Sequence, residues 1–176
     1  MRKRLQEHLL LARVIGKRDI EAYGQLYDLY IEKIYRFIYF KVRSKEDAED
    51  LSSEVFLRAW QYIIDKQPKI INSVSGLFFS IARNAIIDLY RQKAKKQTCS
   101  LEVMSEIVSE GKKDDPIQEV AEVLELVRRL KQDYQEVLLL KYVEGLKISE
   151  IAALMGKNSI NVRVLIHRAL KKLKTL

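Results

Sequence analysis

One periodicity constrains this chain more than any other feature. Apolar residues recur at spacings of three and four along almost its whole length, the pattern of helices that each bury one face. Tyr23, Leu26, Tyr27, Tyr30, Ile34, Phe37 and Ile38 form one stripe. Ala48, Leu51, Val55 and Ala59 form a second, after Ser44, an N-cap residue followed by the first-turn acids Glu46 and Asp47. Pro68 and its polar neighbours interrupt the pattern, and Phe78, Ile81, Ala82, Ala85 and Leu89 take it up again. From Ile117 it continues through Val120, Val123, Leu124, Val127 and Leu130. Further helices are expected over Gln132 to Val143, Ile148 to Met155 and Ser159 to Leu173. With 6 glycines and 2 prolines in 176 residues, the chain lacks the turns of an all-β fold. The expected fold is all-α, with two small helical domains, 1–96 and 117–176, joined by an acidic linker over 97–116.

Other classes fall away on composition. Cys99 is the single cysteine, so neither an intrachain disulfide nor a cysteine-cluster zinc site can form. His8 and His167 are the only histidines. No metal site and no cofactor are expected. No stretch approaches the roughly 18 apolar residues of a membrane span, so no integral membrane segment is expected. The basic start, Met1 to Arg4, precedes only a short apolar run that Arg13 ends. It does not read as a signal peptide, and a cytoplasmic protein is expected.

The net charge of +8 is laid out in blocks. Residues 1–18 carry +5, 19–79 carry −2, 80–99 carry +4, 100–127 carry −6 and 128–176 carry +7. Two basic regions able to meet a polyanion are thus separated by an acidic one.

The segment from Ile148 to His167 has the spacing of a helix-turn-helix. Ile151 points inward, Ala152 is small where the second helix crosses, and Gly156 falls where the turn needs positive φ. Asn158 or Ser159 can cap the next helix. Val162, with Leu165 or Ile166, faces the core. Asn161, Arg163, His167, Arg168, Lys171 and Lys172 take the polar positions. Such a helix can enter the major groove, with base readers near its start and phosphate contacts near its end. Asn161 and Arg163 are the best base readers. A solvated helical hairpin with a basic face is the plainer alternative.

With these residues in view, the chain resembles the bacterial extracytoplasmic-function (ECF) sigma factors. YQEVLLLKYVEGL over 134–146, followed by Glu150, Ile151 and Ala152 and by HRALKKL over 167–173, is similar to their domain 4. DAEDLSSEVFLRAW over 47–60 resembles the domain 2 helix that grips core RNA polymerase. LFFSIARN over 77–84, with Asp88 and Arg91, resembles the promoter −10 helix. Only the linker matches by position and acidity alone. Leu77 stands where the family often has tryptophan, Ile160 and Asn161 replace a frequent Gly-Thr pair, Leu165 sits at a frequent arginine, and Lys147 replaces a common capping serine.

The resemblance implies a transcription initiation factor that binds core RNA polymerase and directs it to promoter DNA. Asp47, Asp50, Glu54, Phe56 and Trp60 would dock on the polymerase. Phe79, Arg83, Asn84, Asp88, Arg91 and Lys95, with the loop from Asp65 to Ser75, would hold −10 DNA as it opens. Asn158, Ser159, Asn161, Arg163, His167, Arg168 and Lys171 would read the −35 duplex. The acidic linker would run along the polymerase RNA path. The family often works with an anti-sigma factor, and the resemblance admits one here, although no residue singles it out.

Plainer readings stand beside these. Acids at 46–54 also suit a helix N-terminus, and Trp60 suits a core. The basic end of the −10-like helix also suits the dipole there. Two other functions compete with an initiation factor. One is a stand-alone helix-turn-helix regulator, against which both domain 2 motifs speak. The other is a nucleic-acid enzyme with metal on the 46–54 acids. No nucleophile, glycine-rich phosphate loop or metal-spaced histidine and cysteine set supports it, so no enzymatic activity is expected.

Overall fold

A computed structural model describes residues 2–66, 68, 71, 73–97 and 116–176. Every regular element among these residues is helical. They are α1 (Arg2–Lys17), α2 (Ile20–Val42), α3 (Lys45–Lys66), α4 (Val74–Gln97), α5 (Pro116–Arg128), α6 (Gln132–Leu138), α7 (Ile148–Met155) and α8 (Ser159–Leu173). The chain divides into two compact units, Met1–Thr98 and Cys99–Leu176. Of the linker expected over 97–116 only Gln97 and Pro116 are among the described residues, and Cys99 lies outside them, as do Gln67, Lys69, Ile70 and Asn72 of the loop expected to help hold −10 DNA.

In the first unit α2, α3 and α4 pack against one another, and α1 lies mainly against α2. Periodicity explains the centre. Leu26, Ile34 and Ile38 of α2, Val55 and Ile63 of α3, and Phe78 and Phe79 of α4 are fully buried. A chain of aromatic rings runs into it from the surface, exposed Tyr27 on Phe56, Phe56 on Phe78 and Phe78 on Tyr30, with centroids 4.6, 4.9 and 5.1 Å apart. Ring pairs at such separations add about 0.5–1.5 kcal/mol each beyond burial.

The sequence pattern did not mark α1. Its buried apolar residues among those described, Leu10, Leu11 and Val14, are few, and the basic residues around them dominate the reading. The turn after it is nonetheless specified locally. Arg18 takes a left-handed conformation (φ 51°) and donates its N–H to the Val14 carbonyl. Asp19 then caps α2 by accepting the Ala22 N–H at 2.9 Å, and the Arg13 guanidinium reaches the same carboxylate. The backbone N–H is the main reason that the Asp19 pKa lies below its ordinary value. Ser44 caps α3 as expected, accepting the Asp47 N–H at 3.1 Å. Ser73 does the same for α4 through the Gly76 N–H.

Two tyrosines fasten α2 to its neighbours. Near its start, Tyr23 donates its hydroxyl hydrogen to the Phe56 carbonyl of α3. Near its end, the Lys41 carbonyl accepts from Tyr90 of α4 at 2.6 Å. Burial raises the Tyr23 pKa well above the ordinary tyrosine range.

In the second unit α6 packs on α8, α7 crosses α8, and α5 leans on α6. Gln135 donates from Nε2 to the Arg128 and Leu130 carbonyls, both at 2.8 Å, and so satisfies acceptors at the end of α5. Val123, expected on an inner stripe, is exposed, whereas Val127 and Leu130 are buried. The helix expected over Gln132 to Val143 is present but not regular. After α6 it widens into a π turn over Leu139–Val143, where the Glu144 N–H reaches back to the Leu139 carbonyl. Four consecutive apolar residues, Val137 to Leu140, are buried across this junction.

Candidate nucleic-acid and polymerase interfaces

The helix-turn-helix is built by backbone chemistry. Gly156 ends α7 at φ 62°, ψ 32°. The Lys157 N–H bonds the Ala152 carbonyl at 2.9 Å and the Gly156 N–H bonds that of Ala153. That is the Schellman pattern, and it needs a residue in the left-handed region. Asn158 then starts α8, its side-chain oxygen accepting the Asn161 N–H at 2.7 Å. Lys147, which stands where the family commonly has a capping serine, offers no side-chain cap to α7. Glu150 instead accepts the Lys147 N–H at 2.7 Å. Ile151, Val162, Ile166 and Ala169 hold the two helices together from inside. Of the two inward candidates, Ile166 is buried and Leu165 is only half-buried.

This packing leaves one face of α8 in solvent. Asn161, Arg163, His167, Arg168, Lys171 and Lys172 are all exposed on it, and α8 contains no acid. Ser159 is half-buried at the first turn. Lys157 is drawn aside to Asp133 at 3.3 Å.

The second candidate surface lies along α3 and α4. Lys93 of α4 meets Asp47 of α3 at 2.6 Å. Glu54 pairs with Arg58 at 2.6 Å, Arg58 reaches Asp88 at 3.6 Å, and Asp88 meets Arg91 at 3.8 Å. Residues singled out for two different partners thus share one surface. Arg58 links them, a residue that sequence reasoning passed over although Glu54 and Arg58 stand at i,i+4 spacing. Asp50 is exposed and has no ion-pair partner among the described residues. Asn84 is exposed, Arg83 is half-buried, and Lys95 is exposed near the end of α4.

Two expected contact residues belong elsewhere. Phe79 is 1 % exposed and meets Phe37 edge-on, so its ring cannot reach DNA from this fold. Phe56 is 4 % exposed between Tyr27 and Phe78, and is a core residue rather than a polymerase anchor. Both lie on amphipathic helices beside polar site residues, where spacing alone does not separate inner from outer positions. Trp60 is half-buried against Tyr23, at a centroid distance of 5.0 Å. Among the described residues no group of three or more histidine, cysteine or carboxylate side chains could hold a metal ion. No described helix is long and apolar enough to cross a membrane.

Comparison with known proteins decides the family. Residues 26–96 match the family model for sigma-70 region 2, and residues 118–173 match that for sigma-70 region 4. SigM, an ECF RNA polymerase sigma factor of Bacillus subtilis, is 30 % identical over 154 residues, covering 86 % of this chain and 93 % of SigM. The chain belongs to the ECF RNA polymerase sigma factors. It is a promoter-specific transcription initiation factor that acts with RNA polymerase. BldN, an ECF sigma factor of Streptomyces coelicolor, is 34 % identical over 164 residues. That match covers 90 % of this sigma factor but 61 % of BldN.

Solved structures agree on the fold. The sigma factor superposes on CnrH, solved with the cytosolic domain of CnrY, with a TM-score of 0.71 at 21 % identity, over 97 % of this chain and 96 % of that one. RpoE of Bartonella quintana, solved with the anti-sigma factor NepR, gives 0.72 at 17 % identity, over 87 % and 94 %. The region 4 match spans the helix-turn-helix, and the region 2 match spans both α3 and α4.

Proposed function

We propose that the two surfaces divide the work of initiation. The exposed face of α8 reads −35 duplex in the major groove, with Asn161 and Arg163 near its start and Arg168 and Lys171 on phosphates. His167 lies between them. Asn158 and Ser159 fix where the helix begins. In the first unit Asp47, Asp50 and Glu54 dock on a basic surface of core polymerase, beside half-buried Trp60. Arg83, Asn84, Asp88, Arg91 and Lys95 meet −10 DNA.

One observation carries this reading. A capped helix, entered by a tight Schellman turn, presents exposed basic side chains and no acid to solvent. The ion pairs of α3 and α4 support the rest. Exposed pairs are worth only about 0.2–1 kcal/mol, so a basic protein surface or a phosphate can displace one partner at little cost. We propose further that the chain itself catalyses no reaction, works in the cytoplasm and is held in check by an anti-sigma factor. The last point is supported by RpoE, which was solved with one.

Reconstitution with sigma-free core polymerase and a promoter library tests the whole. Specific transcript starts are expected only when the chain is present. Failure to bind core and to initiate overturns the proposal.

A further inference from the structure

The outward face of α8 is not uniformly polar. Ile160 is 67 % exposed and Val164 is 42 % exposed. They stand four residues apart, one helical turn, and so lie one above the other. Opposite them are Val162, Ile166 and Ala169, which are buried. At 100° per residue, Ile160 and Val164 fall near the middle of the solvent face, in line with His167 and Lys171. Asn161 and Arg163 fall on its two flanks. The first two turns of the helix therefore offer an apolar centre between polar edges.

Two β-branched side chains in water at the centre of a basic, acid-free face call for an occupant that is itself apolar there and anionic around. Duplex DNA has this pattern in its major groove. The C5-methyl of thymine is the apolar group on the base edges, and phosphates line both rims. We infer that Ile160 and Val164 form a methyl-reading pair that selects thymine at the −35 element. The inference rests on the reading of α8 as the −35 helix and deepens it. It assigns selection for thymine to the two apolar residues and hydrogen-bond readout to Asn161 and Arg163. Neither side chain packs inside the unit, so truncating it leaves the fold in place.

The test uses the full chain bound to core polymerase. A −35 duplex is first selected from a randomised library, and deoxyuridine then replaces thymine one position at a time. This removes the methyl and keeps every hydrogen-bonding group. Each contacted methyl is expected to cost about four-fold in Kd, the effect of burying one methyl-sized group. Ile160→Ala and Val164→Ala should weaken binding to the thymine duplex by a similar factor and become indifferent to deoxyuridine at one position each. A selected element without thymine overturns the inference. So does a wild-type complex blind to deoxyuridine, or a penalty that survives in both variants. If either variant weakens the binding of core polymerase without DNA, the pair faces protein and the inference fails. A holoenzyme that selects no −35 sequence at all overturns the reading of α8 itself. A selected but methyl-blind element overturns only the role of Ile160 and Val164.

Discussion

Lys93 Nζ and Asp47 Oδ2 meet at 2.6 Å across α3 and α4, from positions 46 residues apart. Both side chains keep substantial exposure, so the bond is a surface latch rather than a buried one. A double-mutant cycle with Asp47→Asn and Lys93→Met should give a coupling of about 0.2–1 kcal/mol in urea unfolding, smaller at high salt. A coupling that salt does not reduce would show that the pair is held in a drier setting.

Asp50 differs from its neighbours in being exposed without an ion-pair partner among the described residues. Asp50→Lys should leave urea stability within about 0.5 kcal/mol while weakening core polymerase binding. Glu54→Lys opposes the Arg58 charge within its own helix and should lose some stability as well. Competition binding to core polymerase, run beside unfolding curves, separates the two effects. Normal core binding by both variants would remove α3 from the polymerase interface.

Asn158 uses its side-chain oxygen to cap α8. Asn158→Ala should therefore cost about 0.5–2 kcal/mol of stability and leave the order of preferred −35 sequences unchanged. Arg163→Ala should do the reverse, altering preference at about 1–3 kcal/mol for a specific base with little effect on unfolding. Binding to a panel of single-base variants reads both. A uniform loss across the panel for Arg163→Ala would mark a phosphate contact instead.

Tyr23 provides a pH test. Its pKa is raised in the fold by burial, so the folded chain keeps that proton to higher pH than the unfolded chain. The contribution is complete below the ordinary value near 10 and is lost as pH rises past it toward the folded value. Tyr23→Phe should lower stability by about 1 kcal/mol at neutral pH through the lost hydrogen bond to Phe56. The variant should also show a shallower alkaline decline. Urea unfolding at neutral pH and at about pH 11 measures both. An equally steep decline in the variant would place the titration elsewhere.

The elements that sequence made legible were those whose ends are written in local chemistry. Helices α7 and α8 were bounded by Gly156 and by Asn158 or Ser159, and α3 followed the cap Ser44, because a positive φ or a capping oxygen has few sources. Helix α1 escaped because three buried apolar residues gave too short a stripe among basic ones. The π turn escaped because periodicity reports a face, whereas a widened turn is set by how Leu139 and Leu140 fit the core. At the interfaces the residue types were legible but their orientation was not. Phe56 and Phe79 sit within motifs full of exposed residues, and only the packing of three helices turns them inward. Arg58 needed the opposite step, since its link to Asp88 joins two helices that the sequence keeps apart.

A helix with one π turn is an ordinary helix carrying a surplus residue. In this chain the surplus sits at Leu139–Val143, directly after α6. Loss of a single residue there would close the regular hydrogen-bond ladder and leave the helix unbroken. The side chains after the turn would keep their directions, because the wide turn alone takes up the surplus, while Tyr142 and Val143, now exposed within it, would be redistributed over a tighter turn. A relative one residue shorter at this point could keep the helix-turn-helix while presenting different side chains just ahead of it. The widened turn is thus a hinge in evolutionary length, where an insertion or deletion resets a surface without dismantling a core.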